Sequence, residues 1–217
     1  MTPRSAVSPQ TAPSVLPAYR GGHEVKPLPF DPAKLRGLSE KLLVSHHQNN
    51  YAGAVRRLDQ IDAQIAGLAK DSPPFLMGAL KREELVARNS MILHEHYFAS
   101  LGGEGKAIGP ALELIRARFG TYEAWEQDFR LTGTALAGGS GWAILAWDPH
   151  ERVAHNFWAL DHTTNLAGGV PLLVMDMYEH AYHMDYGANA KGYIDAFFGN
   201  LEWAEVNRRI AEATRGR

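Results

Sequence analysis

The chain of 217 residues has no cysteine. That excludes a disulfide framework, a thiolate zinc site, an iron–sulfur cluster and a cysteine nucleophile. It also lacks a charge excess: 22 Lys and Arg stand against 24 Asp and Glu, for a net charge of −2. A nucleic-acid footprint would need a basic stripe, so no nucleic-acid partner is expected. No apolar run approaches the roughly 18 residues of a membrane span, and no membrane association is expected. The first 22 residues hold four Pro, no acidic residue and no apolar block of the secretory type. They read as a disordered extension of a cytoplasmic protein. Export or organellar targeting through Arg4, Arg20 and the neighbouring serines is the weaker alternative. A chain of this length buries about 70% of its unfolded surface without staples. Ten residues are histidine. Any chemistry here falls to imidazole and carboxylate.

The texture changes along the chain. Asp31 before Pro32 has the form of an N-cap with proline at the first helical position. Apolar residues recur at helical spacing from Leu38 to about Ala69, through Leu42, Leu43, Tyr51, Val55, Leu58, Ile61 and Ile65. Asp71-Ser72-Pro73-Pro74 breaks the pattern, and a second helix is predicted from about Lys81 to Leu101. The two helices suggest an antiparallel hairpin. Helices are predicted at 107–119 and at 121–137, the latter capped by Thr121. Trp142–Trp147 and Val153–Leu160 then flank Asp148-Pro149-His150-Glu151, a hairpin turn. Val170–Met175 is a third apolar run, leading into Asp176 and a predicted helix. Helical stretches near 190–199 and 201–213 finish the chain. The expected fold class is α+β: an extension at 1–22, a helical hairpin domain at 23–103, and an α+β domain at 104–217 with a small three-stranded antiparallel sheet.

The densest chemistry lies in Asp176-Met177-Tyr178-Glu179-His180. Asp and His four apart on a helical turn aim at a common point, and an apolar run just before them places the pair in buried surroundings, where charge needs a partner or a metal. Two more clusters, His46-His47 and His94-Glu95-His96, fall on the two long helices and face each other in an antiparallel hairpin. One histidine from each, with Asp176 and His180, makes an N₃O set. Such a set suits iron, manganese or zinc better than copper(I) or calcium.

These segments resemble the iron/manganese superoxide dismutase family. Pro27-Leu28-Pro29-Phe30 is similar to its opening PLPY, and His94-Glu95-His96-Tyr97-Phe98 to its second-helix ligand segment, with Leu93 in place of Asn. Gly139-Ser140-Gly141-Trp142 matches its GSGW. Asp176-Met177-Tyr178-Glu179-His180-Ala181-Tyr182-His183 resembles its D-x-W-E-H-A-Y-Y, the most specific motif of the set. The resemblance implies superoxide as substrate, converted to dioxygen and hydrogen peroxide at one iron or manganese ion per subunit. It implies His94, Asp176 and His180 as metal ligands. On the first helix, the family's double histidine set on His46-His47 would put a leucine at the ligand position. An ungapped register from Leu38 instead puts His46 there, with His47 the runner-up, since neighbours point about 100° apart.

That register exposes departures from the family. Ala54 falls where a tyrosine lines the substrate channel, leaving Tyr51, one turn earlier, to offer a hydroxyl. Tyr178 stands for a tryptophan, Asn50 for a histidine and His183 for a tyrosine. His162 takes the place of a residue that hydrogen-bonds solvent on the metal, and Trp142 walls the cavity. The expected catalytic group is therefore His162, Trp142 and Tyr51. The resemblance further implies a homodimer, with Glu179, His183 and Asn50 at the interface. His23, His150 and His155 receive no role. The alternatives are a protein of this fold that binds metal without dismutating, and a hydrolase or oxygenase using part of the ligand set.

Overall fold

The structure, a computed structural model, describes residues 17–215. The first 16 residues of the expected extension lie outside these. Its last residues are folded: Pro17–Tyr19 is one 3₁₀ turn, and the Tyr19 hydroxyl accepts a hydrogen bond from Lys81 Nζ (3.1 Å). His23, assigned no role from sequence, anchors the same segment. Its backbone N–H donates to Asp59 Oδ1 and its Nε2 lies 3.2 Å from buried Asp62.

Asp31 caps a 3₁₀ turn, Pro32–Lys34, by accepting from the Ala33 N–H. Ser39 then caps α1 (Glu40–Ser45) by accepting from the Leu42 N–H (3.1 Å). The predicted first helix is not uniform. Between α1 and α2 (Ala52–Ala66) lies a π-helical turn, His46–Tyr51, in which the Ala52 N–H reaches back five residues to the His47 carbonyl. Helical periodicity does not reveal such a turn, because its hydrophobic pattern slips by only one residue.

The second long helix begins earlier than predicted. α3 runs Pro74–Ala99, with Pro74 in its first turn, where a missing N–H costs nothing. The proline pair that reads as a breaker is thus a helix start. Pairs between the two helices join Tyr51 with Glu95, Asp62 with Arg88 and Arg57 with Glu83. Early residues of one meet late residues of the other, so the hairpin is antiparallel. Leu58, Ile61, Ile65 and Ala87 fill a small apolar cluster at its far end.

The second half carries α4 (Pro110–Phe119), α5 (Tyr122–Thr134), β1 (Trp142–Asp148), β2 (Val153–Ala159) and β3 (Val170–Asp176). Thr121 caps α5 as expected. Both pairings of the sheet are antiparallel, in the order β2-β1-β3, so β1 is central and all but its last residue is buried. In the β1–β2 turn, Arg152 takes a left-handed conformation (φ 59) and its N–H donates to the Asp148 carbonyl. The register sets Trp142 opposite Asp176, at the end of the sheet that meets α3.

No helix follows directly after Asp176, contrary to expectation. Tyr178 is extended (ψ 144), and only a 3₁₀ turn, Glu179–Ala181, precedes the short α6 (His183–Tyr186). The Met177 N–H donates to the Gly141 carbonyl, which holds this segment against the sheet and opens the helical ladder. α7 (Ala190–Gly199) and α8 (Trp203–Thr214) close the fold over a single main apolar core. No helix among the described residues is long and apolar enough to cross a membrane.

Candidate metal centre

Four elements deliver one residue each to a point between the hairpin and the sheet. His46 comes from the π turn, His94 from α3, Asp176 from the end of β3 and His180 from the 3₁₀ turn. One ligand atom from each lies within 4.8 Å of all the others. The three Nε2 atoms face a single carboxylate oxygen: Asp176 Oδ2 is 3.1 Å from His46, 3.3 Å from His180 and 3.5 Å from His94. The other oxygen, Oδ1, accepts from the Tyr178 backbone N–H (2.8 Å). His46, His94 and Asp176 are buried, whereas the His180 side chain keeps 27% exposure. Asp and His thus converge through a strand end and a tight turn, not through helical spacing.

The protonation pattern tests whether a cation fits. His94 Nδ1 lies 2.6 Å from the Ser90 carbonyl, which can only accept, so Nδ1 carries the proton. Nε2 is then a bare lone pair, buried without a hydrogen-bond partner among the described residues, facing a carboxylate oxygen. Two lone pairs at 3.5 Å in a dry interior repel each other unless positive charge sits between them. Burial, and next to it the His46 ring, pushes the His94 pKa down to about 3, so the ring stays neutral. Burial also lowers His46. For Asp176 burial alone would raise the pKa. The charges and hydrogen bonds of His180 and His46 outweigh it and hold the carboxyl well below the usual range. Neutral imidazole and ionised carboxylate are the forms that ligate metal.

Aromatic rings seal the cluster. Trp142 meets His94 edge to face at 5.1 Å, while Phe98 and Tyr97 flank His46 at 5.0 and 5.2 Å. The Tyr193 hydroxyl donates to the Asp176 backbone carbonyl (2.6 Å) and fixes the strand end. Nothing in the spacing of Tyr193 marks it for this position, which depends on α7 packing back over β3. His162 borders the site, its ring stacked on Tyr178 at 4.8 Å. Trp142 Nε1–H donates to His162 Nδ1 (3.1 Å), so the proton of the neutral ring sits on Nε2. Asn89 on α3 holds the His162 backbone carbonyl. Burial lowers the His162 pKa.

His47 is outside the cluster. Its Nε2 donates to the Lys26 carbonyl (2.8 Å), as the turn between neighbouring helical residues requires. His96 points away from the site too, with Nδ1 donating to the Ile92 carbonyl. The Tyr51 hydroxyl is committed: it accepts from the Lys26 N–H and donates to Glu95, both at 3.0 Å. Burial pushes its pKa up to about 12. The hydroxyl expected to serve substrate is engaged in the wall. Glu179 and His183 are exposed and Asn50 is half-buried.

A buried N₃O cluster shared between a helical hairpin and a three-stranded α+β domain defines a mononuclear metalloprotein. The description "Iron/manganese superoxide dismutases, C-terminal domain" matches residues 107–209. An iron superoxide dismutase of Cupriavidus metallidurans is 52% identical over 194 residues, 89% of this chain and 98% of that protein. One from Aquifex aeolicus is 32% identical across 90% of this chain and 95% of its own. A manganese enzyme of Halobacterium salinarum is 29% identical across 88% of this chain and 96% of its own. The chain belongs to the iron/manganese superoxide dismutase family. It is an oxidoreductase that dismutates superoxide with one iron or manganese ion per subunit, which disfavours the reading of a metal-binding protein without activity.

Proposed function

We propose that His46, His94, Asp176 and His180 hold the ion, and that His162 serves the proton side of superoxide dismutation. The observation that carries this reading is the convergence of three Nε2 atoms on Asp176 Oδ2, one of them fixed as a bare lone pair by the Ser90 carbonyl. When bound, iron or manganese supplies a one-electron couple between +3 and +2. The residues supply charge and protons. Three neutral imidazoles and one carboxylate leave the centre net positive in either oxidation state, which attracts an anion. His162 offers Nε2–H as a donor toward the incoming anion, and Trp142 holds that tautomer through Nδ1. Trp142, Tyr178 and Phe98 exclude bulk water, so each polar contact acts in low dielectric. Tyr51 shapes the wall through Lys26 and Glu95.

The subunits pair as a homodimer in this reading. His180 keeps an exposed edge, and Glu179 beside it is an acidic side chain exposed on the surface. Across a two-fold axis each Glu179 reaches the other subunit's ligand, in the isologous manner of such contacts. In the same reading His183 and Asn50 lie at that interface.

The test is metal analysis with a superoxide assay on wild type and His162→Ala. Wild type is expected to hold one iron or manganese per chain and to consume superoxide. His162→Ala is expected to keep the metal and lose most of the turnover. Metal loss in that variant would make His162 structural and sink its assigned role.

A further inference from the structure

Two histidines unused by the centre lie at the other end of the sheet. Asp148 ends β1, about 20 Å along the strand from Trp142 at roughly 3.3 Å per residue. His155 on β2 stands opposite Ala146, so it shares a face with Asp148. Its Nε2 lies 3.3 Å from Glu151 Oε2 and 3.8 Å from Asp148 Oδ2. One ligand atom from each of the three residues falls within 4.8 Å of the others. Asp148 Oδ1 is occupied by the N–H groups of His150 (2.7 Å) and Glu151 (3.2 Å), which leaves Oδ2 turned to His155.

We propose that Asp148, Glu151 and His155 form a second metal site, for a divalent first-row cation of the zinc type. Nitrogen and oxygen bonds near 2.0–2.1 Å in a tetrahedron put neighbouring ligands about 3.3 Å apart. The Glu151–His155 edge has that length, the Asp148–His155 edge closes by about half an ångström with a small rotation of the partly exposed His155 ring, and the exposed Glu151 side chain is free to follow. Two carboxylates and a neutral imidazole carry a net charge of −2, which favours a dication. The mixed set suits zinc better than calcium, which wants more oxygens, or copper(I), which wants sulfur. A fourth position faces solvent, beside exposed His150. The bound cation joins the end of β1 to β2 and takes no part in electron transfer. The rival explanation is a protonated His155 in a surface ion pair, which binds nothing and contributes little.

The experiment uses the iron-loaded enzyme, cleared of loose metal by a chelator. Zinc sulfate is titrated calorimetrically and iron release is followed in parallel. Wild type is expected to take one zinc per chain in the micromolar range without releasing iron. His155→Ala and Asp148→Asn are expected to bind roughly tenfold or more weakly, with dismutase activity and iron content unchanged. Cobalt(II) should give the intense visible bands of a tetrahedral site in wild type and lose them in His155→Ala. Absence of saturable zinc binding, equal binding by wild type and His155→Ala, or zinc uptake matched by iron release would each overturn the proposal.

Discussion

At the scale of single residues, the decisive contrast is between His46 and His47. They are adjacent and chemically identical, yet one is buried against Asp176 and the other is bonded to the Lys26 carbonyl. His46→Ala is therefore expected to empty the site and lower activity by roughly 100-fold or more, while His47→Ala retains the metal. Metal content by mass spectrometry checks both, and the reverse pattern would overturn the ligand assignment. His96 makes a different prediction. Burial, followed by the neighbouring Arg209 charge, depresses it from 6.5 to about 4. Between those values the unfolded chain holds a proton that the folded chain refuses. The stabilising effect is complete above pH 6.5 and is lost as pH falls toward 4, amounting to about 3 kcal/mol over the full window. Urea unfolding of metal-free protein should show a shallower acid slope for His96→Gln than for wild type. Identical slopes would mean that His96 does not titrate in this way.

At the scale of elements, the π turn His46–Tyr51 is what lets one helix serve two tasks. It presents His46 to the centre and still brings Val55 and Leu58 onto the core face of α2. The π turn absorbs one extra residue, so inserting an alanine after exposed Asn49 adds a second that it does not absorb and should swing everything beyond it by about 100°. Displacing two such apolar side chains costs at least about 3 kcal/mol, at 1.5–3 kcal/mol for each. A large drop in the thermal midpoint with metal loss is the expected outcome, and an unchanged midpoint would show that the turn has no such role. Gly141 is a second junction. Its φ is 142, and a Cβ there would sit 2.2 Å from the Ala159 carbonyl oxygen. Gly141→Ala should destabilise by about 3 kcal/mol or more, because the strand bearing Trp142 must shift to make room. Denaturant melts with metal analysis read both effects.

At the scale of the whole molecule, the centre exists because the hairpin and the sheet meet there. Each half carries two of the four residues, so neither half holds the site alone. The exposed edge of His180 makes the dimer a further expected layer of the same construction. Glu179→Ala should weaken subunit association by roughly tenfold, consistent with losing about 1.4 kcal/mol of charge-assisted contact. Light scattering across a dilution series measures it. A wild-type protein that is monomeric at all concentrations with full metal content would rule out the pairing.

Much of this protein is legible in its sequence. The lack of cysteine, the paired histidine clusters and the Asp176–His180 motif point to an imidazole and carboxylate cluster, which the structure brings together. The apolar periods mark both long helices and all three strands, because burial imposes spacing on the chain. The caps Thr121 and Asp31 are equally local in origin. What the tertiary structure decides is orientation. The extended backbone after Asp176 and the commitment of the Tyr51 hydroxyl arise from contacts between distant segments. So does the Tyr193 bond to the Asp176 carbonyl, whereas the His94 tautomer is set by Ser90 one turn back on the same helix. The physical reason is common to them. Spacing along the chain sets which residues are available to meet, whereas the direction of a lone pair is set by whatever packs against it.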